Sequence, residues 1–210
     1  MDTNLLSFFT TNYGRGSVAH VGTSDSIGEA IRIAQRELTL NGKPLLWSHA
    51  FILGEIRPDR RAPDLQHRSP YLFESDLHID PVHVQLRNGA QENWIGKWCQ
   101  DHVEHAAILD LTLTGPEQDV VLGTALQLCD EQMEYPVLEL LGTWIAIITG
   151  HVWVPNPFND PHQIYCSAFA RYCCQQAGRD FLGGNIDLSN TAPEHIGQAK
   201  PFKTEWHKVS

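Results

Sequence analysis

Positive charge is scarce in this chain: 15 Lys and Arg stand against 25 Asp and Glu, a net charge of −10 over 210 residues. An acidic surface repels phosphate backbones, which sets nucleic acid aside as a partner. The short basic run Arg57, Arg60 and Arg61 reads as a solvated loop. CxxC, HExxH and HxxEH are all absent, and with them the usual zinc frameworks. Cys99, His102 and His105 come nearest to a ligand set. Their i, i+3, i+6 spacing leaves the last about 240° around a helix from the first, so the three do not converge. No metal or cofactor is expected. Five cysteines make an odd number without regular spacing, so we expect free thiols in a reducing cytoplasm rather than a disulfide framework. No basic residue precedes Arg15, and no export signal is expected. The most apolar stretch, 137–154, is broken by Glu139, Gly142, Thr143, Gly150 and His151. It predicts a buried helix followed by a strand or loop, not an integral membrane segment.

What remains suits one domain with a full core. Residues 17–22 (SVAHVG) predict a strand. Ser24 or Asp25 then caps a helix to about Leu38, with Ile27, Ala30, Ile31 and Ala34 on one face. Residues 45–53 (LLWSHAFIL) are apolar on both faces, as in a central strand. A polar loop follows over 54–70. Residues 71–79 alternate, with Phe73, Leu77 and Ile79 opposite Glu74, Asp76 and His78. A strand over 82–86, a turn at Asn88-Gly89, a short helix over 93–102 and a strand over 105–113 come next. Thr114 caps a helix to about Gln132, with Pro116 in its first turn. A Pro/Asn-rich loop, a cysteine-bearing helix and a tail of turns complete the chain. Strands clustered ahead of a last helix predict α+β rather than a doubly wound sheet.

The cysteine helix raises the question of chemistry. In HQIYCSAFARYCCQQAG (162–178), residues Cys166, Phe169, Ala170, Cys173 and Ala177 form one stripe, and Gly178 is a stop. We expect a short turn at 161–164 and a helix beginning near Tyr165, so that Cys166 leads the buried face. Cys174 should be more exposed than Cys173. If Asp160 to Gln163 acted as a capping box instead, Cys166 would fall in the second turn. A thiol needs an imidazole or a helix N-terminus to become a useful nucleophile at neutral pH. His49 lies in a strand otherwise apolar or small. Glu74 is placed to orient that imidazole, with Asp76 and His78 as alternatives on the same predicted face.

The order His49 in WSHAFIL, Glu74 in YLFESDL and Cys166 in YCSAFARYC resembles the circularly permuted NlpC-type papain-like amidases, which are related to the lecithin:retinol acyltransferase group. The segments 89–113, 115–141 and 188–199 look like that group's lead into a core strand, its following helix and its closing turn. The resemblance covers roughly residues 45–200. It implies a single permuted papain-like domain, 1–210, with 1–44 as an N-terminal extension carrying one helix and 45–200 as the catalytic core. The implied fold is α+β, a small antiparallel sheet or half-barrel packed on helices that include the nucleophile's. Cys166 would attack a carbonyl, His49 would accept and return the proton, Glu74 would orient His49, and the Cys166 N–H would donate to the oxyanion. Ala50 and Phe51 stand where the family commonly has glycine or valine after the histidine. The expected activity is hydrolysis of an amide or ester in a small molecule, peptide or acyl-lipid. Acyl transfer through the same nucleophile, or a non-catalytic binding role, are the alternatives.

Overall fold

The computed structural model describes residues 1–38, 45–58, 68–80, 85–134, 151, 153 and 164–209. Among these, six strands form one antiparallel sheet: β1 (Val18–Thr23), β2 (His49–Pro58), β3 (Arg68–Asp80), β4 (Gln85–Trp94), β5 (Val103–Asp110) and β6 (Phe202–His207), in the order β4-β3-β2-β1-β5-β6. The helices are α1 (Thr3–Thr11), α2 (Ser26–Ala34), α3 (Gly115–Asp130), α4 (Cys166–Gln176) and α5 (Pro193–Gly197). The α+β class and the antiparallel sheet agree with expectation.

Both faces of the sheet are covered, which explains why Ala50–Leu53 of β2 are apolar whichever way they point. Val18, Ala50, Ile52 and Phe73 meet Val121 and Ala125 of α3 and Phe169, Ala170 and Cys173 of α4. On the other face Ala19, Val21, Phe51, Leu53 and Leu72 meet Leu5, Phe8 and Phe9 of α1, with Ile95 and Cys99. A fully buried Phe such as Phe169 contributes about 1.5–3 kcal/mol by leaving water. Residues 1–44 supply two helices rather than the one expected, and their strand β1 lies between β2 and β5.

Several local expectations change. α2 is capped by Asp25, whose carboxylate accepts from the Ile27 and Gly28 N–H groups, but it ends at Ala34 and gives way to a 3-10 turn over Arg36–Leu38. Its buried side is not the predicted one. Gly28 is buried and Ile27 is 65% exposed, because the helix leans on Thr23 where a Cβ at residue 28 would meet Thr23 Oγ1 at 1.9 Å. The polar loop is shorter than 54–70. Arg57 pairs with Ser69 and Pro58 with Arg68, extending both strands. Asn88-Gly89 is no turn: it lies inside β4, paired with Leu77 and Asp76. Gly89 has φ +100°, and a Cβ there would lie 1.8 Å from Met133 O. The expected helix at 93–102 is only a 3-10 turn, Ile95–Lys97. The tail is not all turns, since Phe202–His207 pairs with β5 along its length. α3 follows expectation at its start, where the Glu117 carboxylate accepts from the Thr114 N–H at 2.7 Å. The apolar stretch 137–154 lies outside the described residues except for His151 and Trp153. Among the described residues no helix is long and apolar enough to cross a membrane.

Candidate functional site

Cys166 is the first residue of α4, with Tyr165 as N-cap in extended conformation. The competing start at Asp160 to Gln163 lies outside the described residues. The helix is buried on most sides: Cys166, Phe169, Ala170 and Cys173 line the expected stripe, but Ser167, Ala168, Arg171 and Cys174 are buried too. The expected greater exposure of Cys174 is therefore not found. Arg171 explains part of this, since its guanidinium binds Asp180 in a fork at 2.9 Å and the Gly183 and Ile186 carbonyls, folding the following loop over the helix. Gly178, at φ +74°, ends the helix as expected. The first turn of a helix leaves N–H groups without intrahelical acceptors, and the Cys166 N–H is among them.

Residue 164 anchors the entry to this helix. The Ser75 hydroxyl donates to the Ile164 carbonyl, and the Ile164 N–H donates to Glu134 O at 2.9 Å. β3 and the segment that follows α3 thus hold the chain just before Cys166.

The three residues singled out in the sequence meet. His49 is the first residue of β2 and Glu74 lies on the neighbouring strand β3. His49 Nε2 is 2.8 Å from Glu74 Oε2, and Cys166 lies near enough to the imidazole to act on its charge. With Nε2 committed to the carboxylate, Nδ1 is the nitrogen left for the sulfur. Burial alone would push the His49 pKa down. The Cys166 sulfur and the Glu74 carboxylate outweigh it and lift it to about 10. Of the alternatives to Glu74, Asp76 instead binds Lys97 at 2.6 Å, and the side chain of His78 lies outside the described residues.

Glu74 is fully buried and has four donors. Oε2 accepts from His49 and from the Trp98 indole at 2.8 Å, and Oε1 accepts from Asn93 at 2.7 Å and Lys97 at 2.5 Å. Burial would raise its pKa, but Lys97 and His49 outweigh it and hold the carboxyl well below the usual range. The Trp98 ring stacks on the His49 ring, with centroids 4.5 Å apart. Asn93, Lys97 and Trp98 carry no sequence signal of this role: NWIGKWC predicts a short helix, and nothing in it marks a carboxylate as their partner.

Burial pushes the Cys99, Cys129 and Cys174 thiols up to about 12 and Cys173 well above its ordinary value. Cys99, His102 and His105 do not converge. Cys99 is in the core beneath α1, His102 stands 3.9 Å from Asp25, and His105 Nδ1 lies 2.9 Å from His207 Nδ1. Among the described residues no group of three or more His, Cys, Asp or Glu side chains is arranged to hold a metal ion.

No protein-family model matches the chain, and no curated protein matches it in sequence. Among solved structures, the crystal structure titled metalloprotein YiiX from Escherichia coli O157:H7, DUF1105, is similar at a TM-score of 0.51 and 16% identity, over 93% of this chain and 97% of that one. That likeness is one of fold alone.

Proposed function

We propose that this protein is a cysteine hydrolase that cleaves an amide or ester bond through Cys166, His49 and Glu74, on a permuted papain-like fold of the NlpC type. The observation that carries this reading is His49 bonded to the Glu74 carboxylate at 2.8 Å, with the helix-leading Cys166 near enough to act on the same imidazole. The cysteine opens a helix, where backbone N–H groups and the dipole favour a developing oxyanion.

The steps follow from those atoms. The Glu74 carboxylate accepts the Nε2–H of His49, fixing the tautomer that leaves Nδ1 facing sulfur. The proton shared by Nδ1 and the sulfur stays on the imidazole as the sulfur attacks the carbonyl carbon. Oxygen becomes an oxyanion beside the Cys166 N–H. The imidazolium returns its proton to the departing amine or alcohol as the carbon–heteroatom bond breaks, leaving a thioester on Cys166. Water then attacks with His49 as base, and the acid departs. YiiX is titled a metalloprotein; among the described residues of this chain no group of three or more His, Cys, Asp or Glu side chains is placed to hold a metal ion. The substrate class stays an amide- or ester-containing small molecule, peptide or acyl-lipid, and the cellular site of action is proposed to be the cytoplasm.

Site-resolved alkylation with iodoacetamide across pH tests the reading, together with a panel of acyl and peptidyl electrophiles on wild type and Cys166→Ala. Cys166 is expected to react fastest of the five thiols, to lose at least about tenfold in rate in His49→Ala, and to carry the acyl adduct. Slow and equal labelling of all five would favour a non-catalytic binding protein.

A further inference from the structure

The triad rests on a charged group that the sequence did not point to. Lys97 ends the 3-10 turn after β4, and its ammonium lies 2.5 Å from Glu74 Oε1 and 2.6 Å from Asp76 Oδ2. The same ammonium lies 5.1 Å from the centre of the Trp98 ring, and that ring stacks on His49. Its side chain is 18% exposed, against 0% for Glu74.

A carboxylate sealed from water between a strand and an indole is costly to keep charged unless a cation stands beside it. His49 cannot fill that place throughout a reaction, because its charge is given up each time the proton passes to a leaving group. Lys97 has no such duty and stays charged: burial works against it, but Glu74 and Asp76 raise its pKa. Asp76 in turn fixes where the ammonium sits. The Trp98 and Asn93 donors aim the carboxylate but bring no net charge.

We propose that Lys97 is a positioning residue of the site, a permanent counter-charge that keeps Glu74 ionised and directed at His49 while the imidazole alternates between its two protonation states. This rests on the proposed cysteine chemistry. It adds that the acidic side of the reactivity profile is governed from outside the triad.

The test is the pH profile of Cys166 alkylation in wild type, Lys97→Met and Lys97→Arg, with the Glu74 carboxyl titrated in each by 13C NMR and assigned through Glu74→Gln. Lys97→Met is expected to move both the Glu74 titration and the acidic limb of alkylation upward by about one unit or more, so that at the wild-type midpoint the rate falls about tenfold, while on the alkaline plateau it stays within about threefold. Lys97→Arg is expected to restore the wild-type position of both. An acidic limb that stays put or moves down in Lys97→Met, or a loss of amplitude at every pH alike, overturns the assignment in favour of a structural role. If Lys97→Met does not fold, the wild-type titration decides: a carboxyl ionised at the lowest pH the fold survives supports the proposal, and one titrating in the ordinary range, about 4 to 5, overturns it. Should Cys166 react no faster than the other thiols in wild type, the proposed hydrolase fails, while the carboxyl titration still decides the part played by Lys97.

Discussion

His49 Nε2 lies 2.8 Å from Glu74 Oε2 although 25 residues separate them. The bond spans adjacent strands, so the register of β2 on β3, which pairs Ile52 with Phe73 and Leu53 with Leu72, sets the geometry of the imidazole. A slip of one residue would send Glu74 to the opposite face.

Glu74→Gln keeps the shape but removes the charge that Nε2, Trp98 and Lys97 share. The imidazolium loses its anion, and Lys97 is left with Asp76 alone. We expect Cys166 alkylation near neutral pH to slow by about tenfold to a thousandfold, with its acidic limb moving up because the imidazolium beside the sulfur has lost its anion. An acidic limb unchanged in Glu74→Gln would refute the role given to the carboxylate.

Ser75→Ala leaves the Ile164 carbonyl without its hydroxyl donor. A buried acceptor left unpaired costs about 1–3 kcal/mol. Because Ile164 precedes Cys166 by two residues, the expectation is lower stability in denaturant titration together with a fall in kcat larger than any change in KM. Unchanged stability would mean that water replaces the hydroxyl at that carbonyl.

His20 is fully buried beside Trp47, with ring centroids 4.0 Å apart, and neither ring nitrogen has a hydrogen-bond partner among the described residues. Burial, aided by Lys203, pushes its pKa down to about 3. His195 is likewise pushed down to about 4 by burial and Arg171. Unfolding at mildly acid pH must therefore take up protons at both. Their contribution to stability is complete above the unfolded histidine value of about 6.5 and is lost as pH falls toward 4 and then 3, with a slope of about 1.4 kcal/mol per pH unit for each. His20→Leu should flatten the acid limb by one proton and leave stability at neutral pH equal or higher. Denaturant midpoints measured across pH decide it; an unaltered proton uptake would show that His20 is not buried in its neutral form.

Gly89→Ala places a methyl group against Met133 O in a left-handed backbone conformation. The Ala90 N–H bond to that same carbonyl, 2.7 Å, leaves β4 no room to retreat. Destabilisation of about 2 kcal/mol or more is expected, read as a drop in melting temperature. A shift within about 0.5 kcal/mol of wild type would mean that the 129–134 segment yields easily.

The residue pattern alone was enough for much of this molecule. Two-sided apolar runs announced the inner strands, Thr114 and Pro116 announced α3, and the stop at Gly178 announced the end of α4. Cys166, His49 and Glu74 stood out because a thiol leading a helix, a lone histidine in an apolar strand and an acid in the next strand are conspicuous locally. The buried side of α2, the passage of β4 through Asn88-Gly89 and the strand at 202–207 were not legible. Each depends on a neighbour distant in sequence: Thr23 under Gly28, Met133 against Gly89, and the free edge of β5. The same holds for Lys97 and Trp98. Local periodicity follows from backbone geometry and is written along the chain. Which ammonium neutralises which carboxylate depends on strand register and on a 3-10 turn that carries no periodic signal, so only the tertiary structure decided what surrounds Glu74.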